Sequence, residues 1–381
     1  MTDIEKESST QTQPDVKKDE RTRIVILGAG MAGLLAAQEL QRKKDITVTL
    51  IAPKDTFCFL PRLTEYLHKN VPEHKVMLKI RDVWHGTFMQ NKATAVNPEE
   101  KTVLLETGQS VSYDTLIIAV GSETNTFNTP GANYAYPFYC KEDADGLSEH
   151  LENMLSADES PGIHTIAVVG GGPTGVEVAS VLADMVKQKR PNGKIIILDR
   201  APKVLNAIPE LAPSVQAVLE KKGITIRSNV AVSQITPLSI EITTPDGNKE
   251  TIPCYTTVWA AGSKPVRLAM SGVTLSERGE IPVELTLAVK GVSDIYALGD
   301  AAAVGTPKTA QAAVQQGAHV VNNILAARSG KPQKPFVYNN RGTVIALDND
   351  TVGSFFGKRL RGFIARTMRD TYYSFSIGQY K

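Results

Sequence analysis

Cysteine is scarce in this chain. There are three, Cys58, Cys140 and Cys254, and none lies within ten positions of another. That spacing excludes a CxxxxC redox disulfide and a CxxC metal or redox pair, and it suits a reducing compartment. Long apolar runs are lacking too: none approaches the roughly 18 residues that a membrane-crossing helix needs. Charge of one sign is also lacking. Against 42 Lys and Arg stand 40 Asp and Glu, a formal net charge of +2, which leaves no electrostatic footprint for nucleic acid. The opening MTDIEKESSTQTQPDVKKDE (1–20) carries six acids. It has neither an apolar core nor the Arg-rich, acid-poor make-up of a transit peptide, and it reads as a disordered tail. The balance is uneven in one place: residues 331–381 hold nine basic and three acidic residues.

What is present is one pattern written twice. RIVILGAGMAGLLAAQEL (23–40) is a short apolar strand, a glycine turn and a helix, and VTLIAP (48–53) is the next strand. HTIAVVGGGPTGVEVASVLADMV (164–186) and KIIILDR (194–200) repeat it about 142 residues later. The repeat predicts an α/β fold of two nested Rossmann-type dinucleotide-binding domains. DTLIIAVGSETN (114–125) and TTVWAAGSKP (256–265) close two further buried strands. The first domain is expected over 21–125 plus 266–330, the second over 126–265, with 331–381 as a C-terminal segment.

Each fingerprint has the residues a pyrophosphate requires. Gly28 and Gly170 permit the tight turn, Gly30 and Gly172 let backbone approach phosphate, and Gly33 and Gly175 let helix pack on strand. Asp199 ends the strand after the second fingerprint. There a carboxylate accepts from a ribose diol and repels a 2′-phosphate, which favours NADH over NADPH; the adjacent Arg200 pulls the other way. At the matching position of the first unit stands Ala52, so the ribose there must be held by Lys54 or by backbone groups. Asp300, in DIYALGDAAAV (294–304), follows a buried strand. It suits a ribityl hydroxyl or a helix N-cap. Two nucleotide sites plus Asp300 point to FAD in the first domain and a nicotinamide in the second. No metal site is indicated.

The stretches FCFLPRLTEYL, YDTLIIAVGSETNTFNTPG, GGGPTGVEVA, TTVWAAGSKP, YALGDAA and TAQAAVQQG together resemble the type II NADH:quinone oxidoreductases, the non-proton-pumping NADH dehydrogenases. The last stretch matches that family's AQxAxQxG through Ala310, Gln311, Ala313, Gln315 and Gly317. The resemblance implies FAD and NADH as cofactors, a quinone as the second substrate, and closure of the cofactor sites near Gly121, Ser122 and Gly262. It implies that Gln311 and Gln315, four apart on one helix face, reach quinone or flavin edge beside Ala310, Ala312 and Ala313. It also implies that Glu177, near the nicotinamide face, relays protons. Read without the family, the helix is a packed Ala-rich one with exposed amides, and Glu177 is a first-turn glutamate favoured by the helix dipole.

Three other readings stay open or fall here. A sulfide:quinone oxidoreductase needs a cysteine after the GD strand, and none follows Cys254. A ferroptosis-suppressor-like or apoptosis-inducing-factor-like oxidoreductase has the same two domains. A flavin-bound sensor with little turnover is the third.

The segment GKRLRGFIARTMRDTYYSFSIGQYK (357–381) reads as a short amphipathic membrane-associating helix over 358–376. Leu360, Phe363, Ile364, Met368, Tyr372 and Phe375 form its apolar stripe with Thr367 and Thr371; Lys358, Arg359, Arg366 and Arg369 form the other face. The family likeness implies a peripheral membrane protein on the cytoplasmic face of the cell membrane, or on an organelle inner membrane. The alternative is a helix packed on the protein itself or on a second copy in a homodimer.

Overall fold

The computed structural model describes residues 21–156, 165–355, 357–378 and 380, without the side chain of Phe375. The expected disordered tail, 1–20, lies outside these residues, and so does the Phe375 side chain of the predicted stripe.

Two parallel five-stranded sheets organise the chain. The first runs in the order Ile295–Ala297, Thr115–Ile118, Thr22–Leu27, Ile46–Ala52, Thr87–Gln90. The second runs Tyr136–Pro137, Thr256–Trp259, Thr165–Val169, Lys194–Leu198, Thr225–Arg227. Every pairing in both is parallel. Parallel strands need a crossover and are covered on both faces. The central strands are accordingly continuous apolar runs: Ile24, Ile26, Ile166 and Val168 are fully buried. In each unit a helix follows the first strand, Met31–Gln41 in one and Pro173–Lys189 in the other.

Chain passes between the sheets at two places, and these pair with each other. Ser122–Thr124 runs antiparallel to Ser263–Pro265. Val266 N–H donates to Gly121 O at 3.1 Å, and Asn125 N–H donates to Gly262 O at 3.2 Å. Gly121 and Gly262 take φ +72 and +109 at these crossings, a conformation that side chains resist.

The C-terminal segment differs from the helix expected at 358–376. Residues 343–345, 352–355 and 358–361 form an antiparallel three-stranded sheet, so Leu360, Lys358 and Arg359 lie on a strand. Ile345, Leu347 and Val352 join the core of the second sheet. The helix begins only at Gly362 and runs to Gly378. Its inner face is Ala365, Arg369, Ser376 and Ile377, all buried, and Tyr380 follows with no exposure. Arg369, expected on the outer basic face, is 2% exposed, and Phe363 and Ile364 point to solvent at 81% and 60%. The predicted stripe rests on apolar spacing alone. An ion pair inside the protein rotates the helix against it.

Candidate functional site

The glycines of both fingerprints sit as their chemistry requires. Gly28 (φ +101) could not carry a Cβ, which would strike the carbonyl oxygen of Ala119; one on Gly33 would strike the carbonyl oxygen of Gly28. At Gly30 a Cβ would meet nothing within 4 Å. The second unit repeats this. A Cβ on Gly170 (φ +107) would lie 2.6 Å from Ala260 O, one on Gly175 would strike Gly170 O, and one on Gly172 would meet nothing within 4 Å. The outer glycines are needed by the fold, and the middle one shapes a cradle at a helix N-terminus, where backbone N–H groups attract phosphate. Both loops fit a dinucleotide.

Asp199 is half-buried, and burial pushes its pKa up against backbone N–H donors from Ala201, Gly171 and Arg200. The Ala201 bond is 3.2 Å long. A Cβ on Gly171 would collide with its carboxyl, so the carboxylate lies across the glycine loop, where a ribose diol would meet it. Asp199→Ala is therefore expected to lower kcat/KM for NADH roughly 10- to 100-fold, the loss of hydrogen bonds to a charged acceptor at about 1.5–3 kcal/mol. Activity with NADPH should fall much less, and the ratio of the two specificity constants is the measurement.

Asp300 opens a short turn, Gly299–Ala301, after the strand Ile295–Ala297. Its Oδ2 accepts from Ser122 Oγ at 2.7 Å, and that hydroxyl lies 2.8 Å from Tyr139 OH. Burial raises the Tyr139 pKa, which keeps the phenol protonated. The network ties the GD turn of the first domain to Tyr139, just beyond the strand Tyr136–Pro137 of the second. Sequence reasoning misses Tyr139, because no local signal marks it. In the first fingerprint unit, Ala52 is buried at its strand end. Lys54 is paired with Glu142 at 3.0 Å, both side chains more than half exposed.

The AQxAxQxG stretch opens the helix Ala310–Arg328. Thr309 caps it, Oγ1 accepting from Ala312 N–H at 3.2 Å, and Ala310 is its first residue. Gly317 is where this helix touches the first-fingerprint helix: a Cβ there would lie 2.8 Å from Ala32 O. The two predicted amides bind chain rather than standing free. Gln311 Oε1 accepts from Arg341 N–H at 2.8 Å and Tyr338 OH at 3.2 Å, and its Nε2 donates to Gly342 O. Gln315 exchanges two bonds with the backbone of Asn339, at 2.9 and 3.0 Å. Gln316, which sequence reasoning passes over, is 2% exposed. It accepts from Gly299 N–H at 2.7 Å and donates to Thr306 Oγ1. Helical spacing could have found it: 312, 316 and 320 share the core face.

Glu177 lies one turn into the second-fingerprint helix. Its Oε1 accepts from Ala346 N–H at 2.8 Å. Burial outweighs that bond and pushes its pKa up to about 7, so it can hold or release a proton near neutrality. Phe59, Arg62, Glu65 and Tyr373 surround this part of the molecule. The arginine and glutamate stand in plain view in FCFLPRLTEYL, three apart in an otherwise apolar stretch.

Known proteins resemble this chain in sequence and fold. Residues 22–317 match the family described as pyridine nucleotide-disulphide oxidoreductase. The chain is 31% identical to the demethylphylloquinone reductase NdbB of Synechocystis sp., over 93% of this chain and 92% of that protein. It is 29% identical to the type II NADH:quinone oxidoreductase NdhA of Mycobacterium tuberculosis, over 89% and 79%. It is 28% identical to the type II NADH:quinone oxidoreductase of Staphylococcus saprophyticus, over 94% and 96%. Among solved structures, NDH2 from Plasmodium falciparum in complex with NADH superposes with a TM-score of 0.85 at 20% identity, over 94% of this chain and 97% of that one. The sulfide:quinone oxidoreductase of Aquifex aeolicus superposes with 0.83 at 18%, over 94% and 91%; at such identities the likeness is one of fold. The family takes its name from a disulphide, yet Cys58, Cys140 and Cys254 are all free thiols here. With two glycine cradles, Asp199 at the ribose-facing turn of the second unit and no redox disulphide, the chain belongs to the pyridine nucleotide-disulphide oxidoreductases, on the branch of the type II NADH:quinone oxidoreductases.

Proposed function

We infer that the protein oxidises NADH and reduces a quinone through bound FAD, without pumping protons. The observation that carries this is the pair of intact cradles, at Gly30 and Gly172, on two sheets of one chain. Bound FAD supplies the chemistry of taking a hydride and passing on two electrons. The chain's own work is to bind, orient and handle protons. Gly28, Gly30 and Gly33 receive the flavin's pyrophosphate, and Asp300, steadied by Ser122, faces the ribityl chain. Gly170, Gly172, Gly175 and Asp199 receive NADH. Gly121 and Gly262 let the crossings between the domains turn beside the cofactors, and we set the domain limits, 21–125 plus 266–330 and 126–265, at those crossings. Lys54 spends one of its three ammonium hydrogens on Glu142 and keeps the others for the first nucleotide.

The quinone, in this proposal, lies along the helix that starts at Ala310. Gln311 and Gln315 fix the chain at 338–342 as its wall. Each amide nitrogen carries two hydrogens, and one is used on that wall. Glu177 holds the proton that quinone reduction consumes. The test is a spectrum followed by two half-reactions. Purified protein should be yellow, should bleach anaerobically on adding NADH, and should recover its colour with a soluble short-chain quinone. Bleaching without recovery would leave the sensor reading in place; no flavin after FAD supplementation would end this one.

We further propose that the enzyme sits at the cytoplasmic face of a cell membrane, or on an organelle inner membrane. Phe363 and Ile364 are exposed beside Lys358 and Arg359, and no helix among the described residues is long and apolar enough to cross a membrane. Exposed apolar residues flanked by basic ones suit an anionic lipid surface. Phe363→Glu with Ile364→Glu should abolish flotation with anionic liposomes and leave turnover of a water-soluble quinone within about twofold, since surface changes rarely exceed about 0.5 kcal/mol. A second copy docking on the same face would appear as a dimer that the double variant dissociates.

A further inference from the structure

Three ions are buried where the C-terminal helix meets the rest of the chain. Arg62 is 7% exposed and Arg369 is 2% exposed, and the side chain of Glu65 between them is 13% exposed. Arg369 Nη2 donates to Glu65 Oε1, and to Asp370 Oδ1 at 2.8 Å. Arg62 Nε stands 3.8 Å from Glu65 Oε2, beyond hydrogen-bond reach. Those two buried atoms have no hydrogen-bond partner among the described residues. The ring of Tyr373 faces both guanidiniums, at 5.7 and 5.8 Å, and meets Phe59 edge-on at 5.6 Å. Apolar side chains would fill this space without the desolvation that buried ions suffer, so packing does not account for the charges.

Glu177 gives them a role: the short helix that carries Glu65 packs on the helix that carries Glu177, with Leu63, Leu67 and Val176 in one core cluster. From its own side, the segment at 345–347 gives Glu177 the Ala346 N–H. From the C-terminal helix, Arg369 favours the charged carboxylate; from the short helix Leu63–Leu67, Glu65 disfavours it. Tyr373 in turn feels Glu177, Arg369, Glu65 and Arg62. Asp370 and Arg366 act one step further out, on Glu65. We propose that Arg369 and Glu65 are opposed positioning residues for the proton on Glu177: the C-terminal helix brings in the charge that favours release, and Glu65 is the counterweight that favours retention. This rests on the reading of Glu177 as the quinone-side acid. It adds that docking of the helix, not burial alone, decides the pH at which that acid is loaded.

The signs give the test. Burial raises the pKa of Glu177 to about 7, and Arg369 acts against that rise. Without the Arg369 charge the protonated carboxyl must persist to higher pH; without the Glu65 charge it must be lost at lower pH. The readout is the infrared carboxyl band that disappears in Glu177→Gln, titrated in the full-length, FAD-loaded protein. Arg369→Gln should move the midpoint up by about one pH unit, and Glu65→Gln down by about as much, the lower end of the effect of a nearby charge. Arg369→Lys should stay near the parent, and the double variant Glu65→Gln with Arg369→Gln should return to it. Shifts in the same direction, or no shift, would overturn the proposal. Should Arg369→Gln fail to fold, Glu65→Gln decides alone, since Arg369 keeps Asp370 as its partner. The pH dependence of quinone reduction in the same variants separates the two ideas: a band that moves while turnover does not supports the tuning and sinks Glu177 as the proton donor.

Discussion

Gly30→Val is expected to give a folded, colourless protein, and Gly172→Val a folded, yellow protein that NADH does not bleach. Both positions have ordinary extended backbone, at φ −78 and −73, and a Cβ at either would meet no protein atom within 4 Å. The fold therefore tolerates the side chain. A nucleotide does not, because the space a valine would fill is where the pyrophosphate must approach the helix N-terminus. Losing two hydrogen bonds to a charged phosphate costs about 3–6 kcal/mol, a factor of more than about 100 in affinity. The neighbouring glycines behave differently. At Gly28 or Gly170 any side chain meets protein backbone and an unfavourable φ, so those variants should lose the fold and the cofactor together. Flavin content and circular dichroism on the four proteins distinguish the outcomes. A yellow Gly30→Val would mean that FAD does not use this cradle.

The second large effect concerns Tyr380. Its hydroxyl donates to Met31 O at 3.0 Å, and its carbonyl accepts from Gln38 Nε2 at 3.1 Å. Its ring lies 5.0 Å from that of Phe57, and it has no solvent exposure. Met31 opens the helix whose N-terminus forms the first cradle, so Tyr380 supports that cradle from behind. Tyr380→Ala removes a buried aromatic, at a cost of about 3–5 kcal/mol, a large part of the roughly 5–15 kcal/mol that holds a protein folded. A fall in Tm of about 10 °C, at roughly 2–4 °C per kcal/mol, is expected, with faster loss of FAD on dilution. Tyr380→Phe should cost only about 1 kcal/mol. For the same reason a chain stopped after Gly357 is no clean probe of membrane attachment: it loses Ala365, Arg369, Ile377 and Tyr380 from the interior along with the exposed Phe363 and Ile364.

The glycine loops were legible as turns, and Asp199 and Asp300 as acids that follow a buried strand; the helix N-cap expected of Asp300 falls instead to Thr309, because Asp300 accepts from Ser122. Gly317 was legible as part of a motif, though not for its part in bringing two helices together. Gln311 and Gln315 were placed on the correct helix with no hint that residues 338–342 would meet them, since those contacts span more than twenty positions of chain. The C-terminal helix shows the limit most clearly. Apolar spacing ranks positions by hydrophobicity and gives Arg369 to water. The partner that draws it inside, Glu65, is 304 residues away, and no local period carries that information. Tyr139 was out of reach for the same reason, since it meets Asp300 only through Ser122.

The strand order also fixes an order of manufacture. On the ribosome the second sheet has all its strands once Trp259 has emerged, whereas the first sheet must wait for Ile295–Ala297 and then for Tyr380. Its strand Thr115–Ile118 stands with one edge bare while the 176 residues between Ile118 and Ile295 are made. At about 5–20 residues per second that is roughly 10–35 s. During that interval the half built on the first sheet is a partial sheet with a sticky edge, and the inserted half built on the second sheet folds ahead of it. Slow translation upstream of Ile295 should therefore lengthen chaperone contact and lower soluble yield, and synonymous slow codons between Ala297 and Tyr380 should do so less, since by then both sheets hold all their strands.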